Sequence, residues 1–222
     1  SEDKGTAVTV TPSGDIIISG TSKGAWGNPI RPYTGFRDAF VARLDGKTGQ
    51  LKWLTFLGGE NDDSGEDIVL TLTGDILITG YSKTTWGNPV RTHSGDDAFV
   101  ALLDGNGNLK WHTFLGGSNY DIGKSITLTT AGNIFITGDS RASWGNPIRT
   151  YSGKTDVFAA ILDLNGNLKW NTFVGGSNDD TSSGIAHTLS GDILIVGSSW
   201  GAWGDPIRAH SGLGDSFIAQ LD

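Results

Sequence analysis

Residues 26–31 read Trp-Gly-Asn-Pro-Ile-Arg, and the string returns at residues 86–91 (WGNPVR), 144–149 (WGNPIR) and 203–208 (WGDPIR). The tryptophans Trp26, Trp86, Trp144 and Trp203 are separated by 60, 58 and 59 residues. Self-similarity at one fixed period marks a repeat architecture, in which each unit buries its apolar face against its neighbours. Four units fill the 222 residues, approximately 1–59, 60–117, 118–176 and 177–222. They are expected to form one domain.

Working outward from the tryptophan string, each unit resolves into short runs of strand character. Residues 67–72 (DIVLTL) and 125–129 (SITLT) typify the first run. The second is DIIIS at 15–19, DILIT at 75–79, NIFIT at 133–137 and DILIV at 192–196, each closed by a glycine. The third follows the tryptophan loop: AFVARLD from Ala39, AFVALLD from Ala98, VFAAILD from Val157 and SFIAQLD from Ser216. The fourth is LKWLTF from Leu51, LKWHTF from Leu109 and LKWNTF from Leu168, with Gly-Gly after it. Runs rich in Ile, Val, Phe and Thr and bounded by Gly and Asn favour strands. Asn106-Gly107 and Asn165-Gly166 supply the positive φ of tight hairpins. No window long enough for a helix carries helical apolar spacing without a glycine inside it. The expected fold is therefore all-β, a β-propeller of four four-stranded units. The last unit stops at Leu221-Asp222 and lacks its outer strand. We expect the four blades to close into a monomeric ring; the incomplete fourth blade leaves a homo-oligomer or a larger two-chain ring as alternatives.

The cycle of GDILITG, DAFVALLD, GNLKWHTFLGG and WGNPVR resembles the SBBP-type bacterial β-propeller repeat over nearly the whole chain. That resemblance implies a secreted or cell-surface location and an innermost first strand. It also implies that Asp3, Asp63, Asp121 and Asp180, which precede the first strands, line one mouth of a central channel. Four carboxylates there would suit a calcium ion, whereas an Asp before a strand also caps a turn. No other cofactor is expected.

Composition narrows the function. Net charge is −8 with 16 basic residues unclustered, so nucleic acid is not an expected partner. No apolar run approaches the 20 or so residues of a membrane-spanning helix, so no membrane insertion is expected. Cysteine is absent, which removes disulfides and thiolate chemistry. Methionine is absent too, and a chain beginning at Ser1 is expected to be processed or trimmed. The four histidines are scattered: His93 and His210 alternate with tyrosines, His112 fills a variable slot, and His187 stands alone on a first strand. No nucleophile–histidine–acid grouping appears, so no enzyme is expected.

The expected function is a binding or adhesion module. Its candidate ligand residues are Trp26, Asn28, Arg31, Trp86, Asn88, Arg91, Trp144, Asn146, Arg149, Trp203, Asp205 and Arg208. An aromatic plane flanked by amide and guanidinium donors suits a carbohydrate, and four copies would give avidity. The competing expectation is that each Trp plugs the space between blades with the Arg stacked on it. The alternative function is a structural unit that assembles through an open blade edge. Trp53, Trp111 and Trp170 alternate with leucines inside strands and are expected in the core or between blades.

Overall fold

A computed structural model describes residues 2–222 and contains fifteen strands in four antiparallel sheets. The first sheet is β1 (Asp3–Val10), β2 (Ile16–Ser22), β3 (Asp38–Leu44) and β4 (Leu51–Leu57). The second is β5 (Asp63–Leu70), β6 (Ile76–Ser82), β7 (Asp97–Leu103) and β8 (Leu109–Leu115). The third is β9 (Asp121–Leu128), β10 (Ile134–Ser140), β11 (Asp156–Leu162) and β12 (Leu168–Val174). The fourth has three strands, β13 (Asp180–His187), β14 (Ile193–Ser199) and β15 (Asp215–Leu221). Every sheet is a meander of consecutive strands, the blade of a propeller.

Blades stack by interleaving alternate side chains. Ile17, Val41 and Leu57 of the first blade meet Ile78, Phe99 and Phe114 of the second in one core. Leu77, Val100 and Leu115 of the second meet Ile136, Phe158 and Phe173 of the third. Phe135, Ala159 and Val174 of the third meet Ile193 and Ile195 of the fourth. The first strands β1, β5, β9 and β13 lie next to one another in succession, so they are innermost, as the resemblance implied. Consecutive blades are also joined at one end by short parallel bridges, Arg37 to Asp62, Asp96 to Tyr120 and Thr155 to Asp179.

The expected closed four-bladed ring is corrected. Among the described residues no core joins the fourth blade to the first. Val8 and Val10 on β1 are 65% and 59% exposed, although Ile68, which matches Val8 one blade on, is 7% exposed. At the other end Ile218 is 77% exposed where its counterpart Ala159 is fully buried. The four blades form an open arc with an apolar face at each end, because each sheet has two apolar faces and only three junctions exist to cover them.

Candidate functional site

The tryptophan loop is built against its own blade. Gly27, Gly87, Gly145 and Gly204 have φ between 55° and 64°, a left-handed turn that glycine adopts without a Cβ penalty. That turn sends the following residues along the outer strand. Ile30 N–H donates to Leu54 O at 2.8 Å, and Phe56 N–H donates to Arg31 O at 3.1 Å. Val90 with His112 and Ile148 with Asn171 repeat the first bond at 2.9 Å each. The loop thereby pairs the free edge of β4, β8 and β12.

The loop tryptophans point inward. Trp86 and Trp144 are 5% and 4% exposed, packed edge-on against Phe99 and Phe114, and against Phe158 and Phe173. Trp86 also stacks flat on His112, with ring centroids 3.8 Å apart. Trp26 packs edge-on against Phe40 and Phe56, and Trp203 against Phe217; both are half-buried.

The arginines face the next blade. Arg31 lies 4.9 Å over the Trp86 ring, Arg91 5.6 Å over Trp144 and Arg149 5.9 Å over Trp203. Their donors are engaged: Arg31 Nη1 and Nη2 donate to Phe56 O and Gly58 O, both at 3.0 Å. Arg91 and Arg149 repeat this with Phe114 O and Gly116 O, and with Phe173 O and Gly175 O. Arg208 lies in the three-stranded fourth blade and is exposed. Thus Trp and Arg of the motif serve blade stacking, the second of the two roles expected from sequence. Asn28, Asn88, Asn146 and Asp205 remain on the surface at the loop tip.

The expected aspartate ring is not assembled as one site. No three His, Asp or Glu side chains come together among the described residues. Asp63, Asp121 and Asp180 are buried instead at the blade junctions, each opposite an aspartate that heads the third strand of the preceding blade: Asp38, Asp97 and Asp156. Asp63 Oδ2 accepts from Gly59 N–H at 2.9 Å, and Asp38 Oδ2 accepts from Thr34 N–H at 2.8 Å. Burial, reinforced by the facing carboxylate, pushes Asp63 and Asp121 up to about 7. Asp38, Asp97 and Asp156 are raised for the same first reason, burial. Asp3 pairs with Ser22 at the start of the array. The sequence reading missed Asp38, Asp97 and Asp156, although an Asp precedes the third run in every unit.

The remaining candidates have local duties. Trp53 and Trp111 reach into the next blade, Nε1 donating to Gly105 O and Leu164 O at 3.3 and 2.9 Å. Their rings lie on the hairpin glycines Gly107 and Gly166, as expected of a position between blades. His93 Nε2 bonds Ser82 O and His210 Nε2 bonds Ser199 O. His187 lies 3.3 Å from Thr127 Oγ1 on the neighbouring inner strand. Asp104 and Asp163 cap their hairpins by accepting from backbone N–H groups of Asn106, Asn108, Asn165 and Asn167.

Successive four-stranded meanders stacked around an axis define a β-propeller array. Residues 110–143 match the SBBP family, a β-propeller repeat. This segment runs from the outer strand of the second unit to the start of the third tryptophan loop. No curated protein matches the chain. Among solved structures, it is similar to a protein of unknown function from Bacteroides caccae, with a TM-score of 0.50 and 14% identity over 88% of this chain. The chain spans 54% of that protein, and the likeness concerns the fold alone.

Proposed function

We propose that this chain is a non-catalytic structural repeat module, placed outside the cell, whose terminal blade faces associate. The first-blade face of one copy seats on the fourth-blade face of another. The supporting observation is the pair of exposed faces, Val8 and Val10 at one end and Val196 and Ile218 at the other, at positions covered in the internal blades. An exposed apolar sheet face beside three covered copies of itself is an interaction surface. Complementarity is already written into the internal junctions. Arg208 of one copy and Trp26 of the next would stand where Arg149 and Trp203 stand within the chain. Because the contact is head-to-tail, it closes when two copies complete a ring and extends when they do not.

Glycan binding through the tryptophan loops stands behind this reading, since Trp86 and Trp144 are buried and Arg31, Arg91 and Arg149 spend their donors on main-chain carbonyls. The test is light scattering or sedimentation over a wide concentration range. Association that rises with concentration is expected. Val8→Lys and Ile218→Lys should each weaken it strongly while leaving the circular dichroism spectrum unchanged, because both side chains are already solvent-exposed. Mixing the two variants should restore one joint. A strictly monomeric unmodified chain at every concentration overturns the proposal.

A further inference from the structure

The blade junctions hold a feature that packing does not account for. At the first junction Asp38 and Asp63 are fully buried, and Oδ1 of each makes no well-formed hydrogen bond; the Ser82 hydroxyl beside Asp63, like Ser140 beside Asp121, donates instead to a main-chain carbonyl, Thr84 O and Ala142 O at 2.8 Å. Asp97 with Asp121 and Asp156 with Asp180 repeat it, so six carboxylate oxygens are orphaned in three equivalent places. Their Oδ2 atoms are fixed by backbone N–H groups: Gly117 on Asp121, Gly176 on Asp180, Ser94 on Asp97 and Ser152 on Asp156. Each carboxylate is thus held in one orientation with its second oxygen unsatisfied. Leaving charged acceptors bare in the interior is among the costlier arrangements a fold can contain.

Other oxygens crowd the same places. A methyl group added to Gly35 would lie 2.6 Å from Asn61 O and 3.0 Å from Asp38 Oδ1, and against Gly59 O. At the third junction a methyl on Gly153 would lie 2.6 Å from both Asn178 O and Asp156 Oδ1. A methyl on Gly116 would touch Asp97 Oδ1 at 2.5 Å and Asp121 Oδ2 at 2.7 Å, so the two carboxylates flank one point. Positive charge is short. Arg31, Arg91 and Arg149 are the nearby cations, one for two carboxylates, and their Nη donors go to main-chain carbonyls.

We infer that each blade junction is a site for a hard divalent cation of the calcium type, held by Asp38 and Asp63, by Asp97 and Asp121, and by Asp156 and Asp180. Main-chain carbonyls of the Gly-Gly loops and water complete the shell. Calcium accepts six to eight oxygens in irregular geometry, whereas magnesium demands a tight octahedron that two carboxylates and loop carbonyls do not preset. This differs from four aspartates around one ion: the carboxylate from the preceding blade replaces the channel partners, and the cation locks one blade to the next.

The test is titration calorimetry on the chain after chelator treatment, with calcium chloride and then magnesium chloride, and a thermal melt with each. Run in the Ile218→Lys background, it is independent of self-association. Three sites per chain are expected, with calcium preferred and the melting temperature raised by about 5 °C or more at millimolar calcium. Asp97→Asn and Asp156→Asn, nearly isosteric, should each remove one site from the stoichiometry and leave two. No heat and no melting shift with millimolar calcium overturns the inference. So does a stoichiometry that both Asn variants leave unchanged.

Discussion

Leu54, His112 and Asn171 occupy one position beneath the loop tryptophan, at 0%, 2% and 1% exposure. The sequence marks this slot only as variable. In the structure it is where the loop is tied down: His112 Nε2 bonds Trp86 O at 2.6 Å, and Asn171 Nδ2 donates to Trp144 O at 2.9 Å. Leucine forgoes the bond and fills the space. Burial pushes the His112 imidazole down to about 4, because charging it against the Trp86 ring strips its hydration. The unfolded chain binds this proton near its ordinary value of 6.5 while the folded chain does not. Stability from His112 is therefore complete above pH 6.5 and lost as pH falls toward 4, by at most about 3 kcal/mol. Melts of the wild-type chain and His112→Asn at pH 7 and pH 5 should show a smaller acid loss in the variant. The difference between the two isolates the imidazole from Asp63 and Asp121, whose raised values pull stability the opposite way with pH. An equal acid loss in both chains would remove His112 as a contributor.

At the scale of the element, the loop between second and third strands acts as an edge guard. Its backbone pairs the outer strand, which otherwise offers a row of free N–H and C=O groups. Arg91 clamps this arrangement with two hydrogen bonds and its stack on Trp144, and Arg208 in the three-stranded blade has no such outer strand. Arg91→Ala is expected to lower unfolding stability by about 2 kcal/mol, and Arg208→Ala by less than about 0.5 kcal/mol. Denaturant titration of both distinguishes a clamp from a common surface role. The second strands impose a different demand. Gly80 faces the β-bulge between Gly65 and Asp67, and a Cβ there would overlap Ser64 O. Backbone cannot move aside as a side-chain tip can. Gly80→Ala should destabilise by about 4 kcal/mol or more and reduce the soluble yield, while Gly74→Ala meets only its left-handed φ, with open space around it.

At the scale of the whole molecule, three junctions carry the apolar cores, the Arg-over-Trp stacks and the facing aspartates, and each end of the array carries an exposed apolar face. Stability in such an array is close to a sum of blade and junction contributions. Added junctions, from a second copy or from bound cations, should therefore raise the melting temperature stepwise. The inner position of the first strands came from the family resemblance, whereas the repeat, the strand order and the three-stranded fourth blade were legible in the chain. Local chemistry and periodicity set them: β-branched runs, Asn-Gly turns and a constant spacing act within a few residues or one unit. The openness of the arc was not legible, since the angle between stacked blades arises from side-chain interdigitation across units. The facing aspartates were hidden for the same reason. Asp38 and Asp63 stand 25 positions apart in different blades, and only the stacking brings them together. The tryptophan motif had two meanings in the sequence, blade packing and a carbohydrate site. Burial, which only the tertiary structure decides, takes Trp86 and Trp144 into the packing of their own blades and leaves Trp26 and Trp203 half-buried.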